Sequence, residues 1–133
     1  MKIKTTDLIG PALDWAVTYA EMLAREDRGE HIKSWVCDGI LKGEQADPYS
    51  IDWLWGGPII EREKIEITYW HQPNQWQAST NERIQYDERG EFIEGSDFQQ
   101  FGHTALIAAM RCYVAFCLGD EVEIPNELVG EAK

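Results

Sequence analysis

The sequence predicts an α+β fold in which two main helices and one short helix pack on a small, mainly antiparallel sheet. Apolar residues recurring at spacings of three and four mark about 7–25 and 104–118 as helices with a buried stripe. Between them, "IEITYW" and "WQAST" alternate in polarity across a turn containing Pro73 and Asn74, which is the pattern of an antiparallel hairpin. At 133 residues the chain fits one domain, 1–133, because single cores typically occupy about 100–150 residues.

The opening "KIKT" alternates and reads as a short edge strand. In the first helix Leu13, Ala16, Val17, Ala20 and Leu23 form the stripe, and Pro11 is tolerated because first-turn amides need no partner within the helix. "AREDRGEH" then reads as a turn around Gly29, and "IKSWVCDGI" as a short strand carrying Trp35 and Val36. "LKGEQADPYS" is loop. In "DWLWGGPIIEREKI" a turn capped by Ser50 is expected over Asp52 to Trp55, with the chain restarting as a helix at Gly57 and Pro58 in its first position. "RIQYDERGEFI" is read as a third and fourth strand around Glu88–Gly90. In the last helix Thr104 is the expected N-cap. Leu106, Ile107, Met110, Tyr113, Val114 and Cys117 form its apolar face, and Gly119 is its left-handed terminator. Residues from about 120 to 133 read as an exposed tail in which only Val122 and Ile124 are able to dock.

Twelve Lys and Arg against 24 Asp and Glu give a net charge of −12. A field of that sign repels phosphates and anionic headgroups, so direct nucleic-acid or membrane binding is not expected. The acids are interspersed with apolar residues, as on a solvated globular surface, and an acidic face that meets a basic partner or imitates DNA is the sharper alternative. Three cysteines leave one unpaired in any disulfide scheme, and "MKIKTTDLIG" lacks a secretory h-region, so a reducing cytoplasm is the expected compartment. The longest apolar block contains Arg111 and falls short of the roughly 20 residues that cross a bilayer.

The segments "IKTTDLIGPALDWAV", "DPYS", "DWLWGGPIIERE" and "TALIAAMRCYVAFCLGDEVEIP" occur in an order that resembles the NinX-like family of small proteins of tailed bacteriophages and prophages. Related members are described as a phage α/β/α sandwich domain. The resemblance implies an α/β/α sandwich-like arrangement, a phage accessory gene expressed in the bacterial host cytoplasm, and no catalytic residues to carry over.

Backbone amides of a Gly56–Gly57 turn at a helix start would favour an anion. Against that, no Lys-Ser/Thr or G-x-G-x-x-G follows, and Asp52, Glu61 and Glu63 oppose negative charge. A structural helix start is therefore the expected role of the stretch, and a ligand loop is the alternative. Of six tryptophans, Trp15 is expected in the core, whereas Trp53 and Trp55 flank a loop and cannot all point inward. Trp53, Trp55, Gly56, Gly57, Trp70, His71 and Trp76 are the candidate binding residues. Cys112 and Cys117 are rotated about 140° from each other on one helix and read as small core residues, so neither a metal nor a cofactor is expected. Arg111, inside an apolar helix, is expected to reach the surface or to pair with an acid. Cys37 has no nucleophile-elbow context, and catalysis is not expected.

The expected function is accordingly that of a small acidic, non-enzymatic phage accessory protein that binds a host or phage protein and modulates host metabolism or defence. A binder of a small nucleotide-like molecule such as a host immune signal is the first alternative, and a DNA mimic directed at a DNA-binding enzyme is the second. Association of the chain with itself is compatible with all three.

Overall fold

The computed structural model describes residues 1–27, 29, 39–40, 46–86, 88–89 and 92–129. The strand expected in "IKSWVCDGI" lies outside the described residues apart from 39–40, which are helical, and Trp35, Cys37 and His31 also lie outside them.

Strand β1 (Lys2–Lys4) pairs antiparallel with β5 (Glu121–Glu123), setting Ile3 opposite Val122. A 3-10 turn over Thr5–Asp7 follows, and helix α1 spans Gly10–Asp27, three residues later than its periodicity suggested. The delay has a local cause. The Thr5 amide donates to the Asp120 carbonyl at 2.7 Å and its hydroxyl to the Gly119 carbonyl at 2.6 Å, so the chain is tied to the far end of the sequence before the helix can begin. Gly10, at φ +60, makes the turn into the helix. Along α1, Leu13, Ala16, Val17 and Ala20 are buried as expected, while Met22 is buried and Leu23 only half-buried.

Helix α2 spans Trp53–Glu63 without interruption, which corrects the expected restart at Gly57. Its N-cap is Asp52, not Ser50. The Asp52 carboxylate accepts from the Leu54 amide at 2.9 Å, and its carbonyl accepts from Trp55 and Gly56, each at 3.0 Å. Pro58 is therefore an interior residue. The carbonyl it leaves without a helical donor belongs to Leu54, a residue 77 % exposed, where water is available to it. The helix stops at Lys64, which adopts a left-handed conformation, with the Ile65 amide donating back to Ile60 at 3.1 Å.

Strands β2 (Glu66–Trp70), β3 (Gln75–Tyr86) and β4 (Phe92–Gly102) form an antiparallel sheet in that order. Both expected hairpins are present, but the strands expected in "WQAST" and "RIQY" are one continuous strand, β3, so three strands stand where four were expected. Ile67, Tyr69, Trp76, Ala78, Gln100 and Gly102 share one face by register. The intervening residues, including Thr68, Trp70, Gln77, Gln99 and Phe101, share the other.

Helix α3 (Ala105–Leu118) is capped as expected, with the Thr104 hydroxyl accepting from the Ile107 amide at 3.1 Å. Gly119 ends it at φ +95 and ψ −168, a positive-φ conformation outside the left-handed helical region. Leu106–Met110 and Cys112–Ala115 are all buried, so the helix is apolar nearly all round rather than on one stripe. Such a helix needs neighbours on every side. The sheet lies against it through Gly102, α1 lies along it, and α2 approaches at Gly56. Cys117 is exposed, which corrects its assignment to the core. Val122 and Ile124 are buried, and a short helix α4 (Asn126–Val129) follows. The architecture is α+β: the main helices and the shorter α2 gather around α3, and α3 rests on a small antiparallel sheet.

Candidate functional site

The expected binding residues fall into two groups that share no ring contact among the described residues. The first surrounds the start of α2. Ile51 is 76 % exposed, Trp53 54 %, Leu54 77 % and Trp55 39 %. Ile59 is buried and Ile60 partly buried on the same helix, so the stripe that faces the core is filled by other residues. Trp55 meets the Tyr49 ring edge-on at 5.7 Å, and burial, with the charges of Asp47 and Glu21, pushes the Tyr49 phenol up to about 12. Ile51, Trp53, Leu54 and Trp55 thus place four exposed apolar side chains around the start of α2, in a negative field.

Gly56 and Gly57 do not form an anion-binding turn. Both lie within the helix, and the Asp52 carboxylate already occupies the helix start. Their roles also differ. A Cβ on Gly56 would lie 2.5 Å from Leu106 Cδ1 and 2.6 Å from the Tyr49 carbonyl oxygen, whereas one on Gly57 would meet only Trp53 Cε3 at 3.9 Å. Gly56 is thus a close-approach position, and Gly57 faces space.

The second group sits at the β2–β3 turn. Tyr69 pairs with Trp76 across the strands, their ring centroids 5.0 Å apart, and His71 meets Tyr69 edge-on, also at 5.0 Å. Trp70 points to the opposite face, where its indole N–H donates to the Gln77 side-chain oxygen. Among the described residues the candidate tryptophans Trp53, Trp55, Trp70 and Trp76 therefore do not converge on one cradle able to clamp a base between two faces.

Arg62, for which the sequence suggests a structural salt bridge without naming partners, joins the three principal helices. The Arg62 guanidinium donates to the Glu21 carboxylate, to Glu63 Oε2 at 2.9 Å and to the Tyr113 hydroxyl at 3.2 Å, and Tyr113 donates to Glu21 Oε1 at 2.8 Å. Burial works against the Arg62 charge, but the hydrogen bonds with Glu21 and Glu63 outweigh it and raise its pKa. Burial raises the Tyr113 phenol; Cys117 is an exposed residue, but its thiol turns in against Tyr113, and the partial loss of solvent there pushes it up to about 11. The only signal in the sequence was an arginine on a short helix in an acid-rich chain, too general to assign partners.

Arg111 does not take the acid expected of it. Its Nε donates to the Leu8 carbonyl and one terminal nitrogen to the Phe101 carbonyl, both at 2.7 Å, so it ties α3 to the chain before α1 and to the end of β4. A cleft of about 510 Å³ opens beside the stacked Trp15 and Tyr19 rings, lined also by Val122, Ile124 and Pro125. Among the described residues no group of three or more His, Cys, Asp or Glu side chains is placed to hold a metal ion, and no helix is long and apolar enough to cross a membrane.

Compared with known proteins, residues 4–116 match the family described as bacteriophage P22, NinX. No curated protein matches the chain.

Proposed function

Since the chain belongs to the bacteriophage P22 NinX family, we propose that it is a phage accessory protein that acts in the host cytoplasm by binding a host or phage protein, without chemistry of its own. The observation that carries this reading is the apolar surface of Ile51, Trp53, Leu54 and Trp55. These are four large apolar side chains left exposed within five residues, and exposed tryptophans are the residues that most often dominate binding energy.

The nucleotide-like ligand has less support than the protein partner. Asp52 stands where a phosphate would seek the helix start, and Trp70 and Trp76 lie on opposite faces of their sheet. A DNA mimic would draw on the net charge of −12, and it differs in its salt response, since contacts made by exposed charges weaken as salt screens them.

The test is affinity capture from infected and uninfected host cells with the wild-type chain and with a Trp53→Ala/Trp55→Ala variant. Both side chains are exposed, so the variant should unfold within about 1 kcal/mol of wild type. Its affinity for a captured partner should fall at least about thirtyfold, the equivalent of a 2 kcal/mol hot spot. A partner retained by the variant at full affinity would place the contact elsewhere.

A further inference from the structure

Arg111 carries a positive charge that the fold does not neutralise. It is half-buried on α3, and among the described residues no carboxylate lies within ion-pair distance of it, in a chain with 24 Asp and Glu. Asp7 is the acid whose charge reaches it, and burial outweighs that attraction and lowers its pKa. Its hydrogen bonds run instead to the carbonyls of Leu8 and Phe101, both at 2.7 Å. They fix the guanidinium plane through Nε and one terminal nitrogen. The second terminal nitrogen keeps both of its N–H groups unengaged among the described residues.

Arg111 lines a cleft of about 350 Å³ together with Thr6, Asn74, Gln75, Phe101 and His103. These residues come from the turn before α1, the β2–β3 turn, the end of β4 and α3, so four separate parts of the chain converge there. Among the described residues the side chains of Thr6, Asn74, Gln75 and His103 have no hydrogen-bond partner. A hydroxyl, two amides and an imidazole, all able to donate, therefore surround the same space as the guanidinium. Phe101, 38 % exposed, is the large apolar residue of the lining.

We propose that this cleft holds a small organic anion, with a carboxylate or phosphate group seated on Arg111 and a flat apolar body against Phe101. The site is separate from the α2 surface and does not depend on a protein partner. A guanidinium matches either oxyanion with paired N–H donors, and one already held by two carbonyls loses little freedom on binding. The volume falls at the small end of the roughly 300–1,000 Å³ of ligand pockets, which suits one ring and its anionic group and excludes a polymer. The net charge of −12 opposes an anion at a distance. Coulomb energy falls with separation and rises as water is excluded, so contact with Arg111 outweighs the more distant acids. Affinity is accordingly modest, in the millimolar range for so small a ligand.

The test is titration of phenyl phosphate and of benzoate into the isotope-labelled chain, followed by nitrogen–proton correlation spectra. Benzyl alcohol serves as the neutral counterpart, and sodium chloride is run at matched ionic strength. Both anions should saturably shift the amides of Asn74, Gln75, Gly102 and His103, and neither control should; the tighter of the two identifies the group that the cleft is built for. Arg111→Lys keeps the charge but cannot hold both carbonyls and still present paired donors, so it should weaken binding at least about tenfold. Phe101→Ala alters an exposed side chain and leaves the backbone carbonyl in place, and it should weaken binding about threefold even if Arg111→Lys fails to fold. Trp53→Ala/Trp55→Ala should bind as the wild type does. Cleft amides unmoved by either anion would overturn the proposal, as would equal shifts with benzyl alcohol or chloride. So would an affinity unchanged in Phe101→Ala or in a folded Arg111→Lys.

Discussion

Gly102→Ala is expected to destabilise the protein by about 2–3 kcal/mol, the upper part of the range for overpacking a close-packed core. The Cβ would lie 2.8 Å from both the Ala108 amide nitrogen and Ile107 Cγ2. Ile107 has side-chain torsions with which to withdraw, but Ala108 is helix backbone, and its amide is engaged with the Thr104 carbonyl at 3.1 Å. The strand and the helix must separate, and Ala78, Thr80 and Gln100 on the same face open with them. Thermal unfolding should show the loss as a fall of about 10 °C in Tm for a chain of this size. Adding Ile107→Ala should not restore it, because the backbone contact remains.

The adjacent pair Gly56 and Gly57 should respond to alanine with opposite signs. At Gly57 the new methyl meets only ordinary contact, so the gain in helix propensity prevails and stability should rise by about 0.5–1 kcal/mol. At Gly56 the same gain is outweighed. Leu106 Cδ1 can move aside, but the Tyr49 carbonyl is held in a turn whose amide donates to Asp47 at 2.8 Å. A net loss of about 1–2 kcal/mol is expected. Urea unfolding should give midpoints displaced in opposite directions with an unchanged m-value. Equal shifts would mean that α2 does not approach α3 as closely as described. Displacing Tyr49 also disturbs its edge contact with Trp55, so Gly56→Ala should weaken partner capture, whereas Gly57→Ala should not.

What could be read from the sequence was whatever depends on local period. The last helix, its Thr104 cap and the two hairpins follow from spacing and turn chemistry alone, and the order of elements shared with phage proteins agrees with the family that the comparison returned. Pro58 was misread because an interior proline is ordinarily costly, and only the exposure of Leu54 shows why it is tolerated here. Arg62 is joined to residues 41 and 51 positions away, a separation over which one sequence carries no pairing signal. The aromatic residues were correctly singled out as numerous, yet their grouping depends on strand register. With the four residues 71–74 forming the turn, Trp70 and Trp76 end on opposite faces, while Trp76 joins Tyr69. Gly102 reads in sequence as a weak strand residue, and its importance appears only when Ala108 is found against it.

The position of α3 in the chain bears on how the protein comes off the ribosome. The helix against which α1, α2 and the sheet all lie is encoded after them, at Ala105–Leu118. Synthesis proceeds at about 5–20 residues per second, so for several seconds the earlier elements are outside the tunnel with nothing to cover their apolar faces. Hairpins and single helices of these lengths are marginal in water. Nascent chains stalled before Ala105 should accordingly be digested throughout by protease, and protection should arrive in one step once the residues up to Leu118 have emerged.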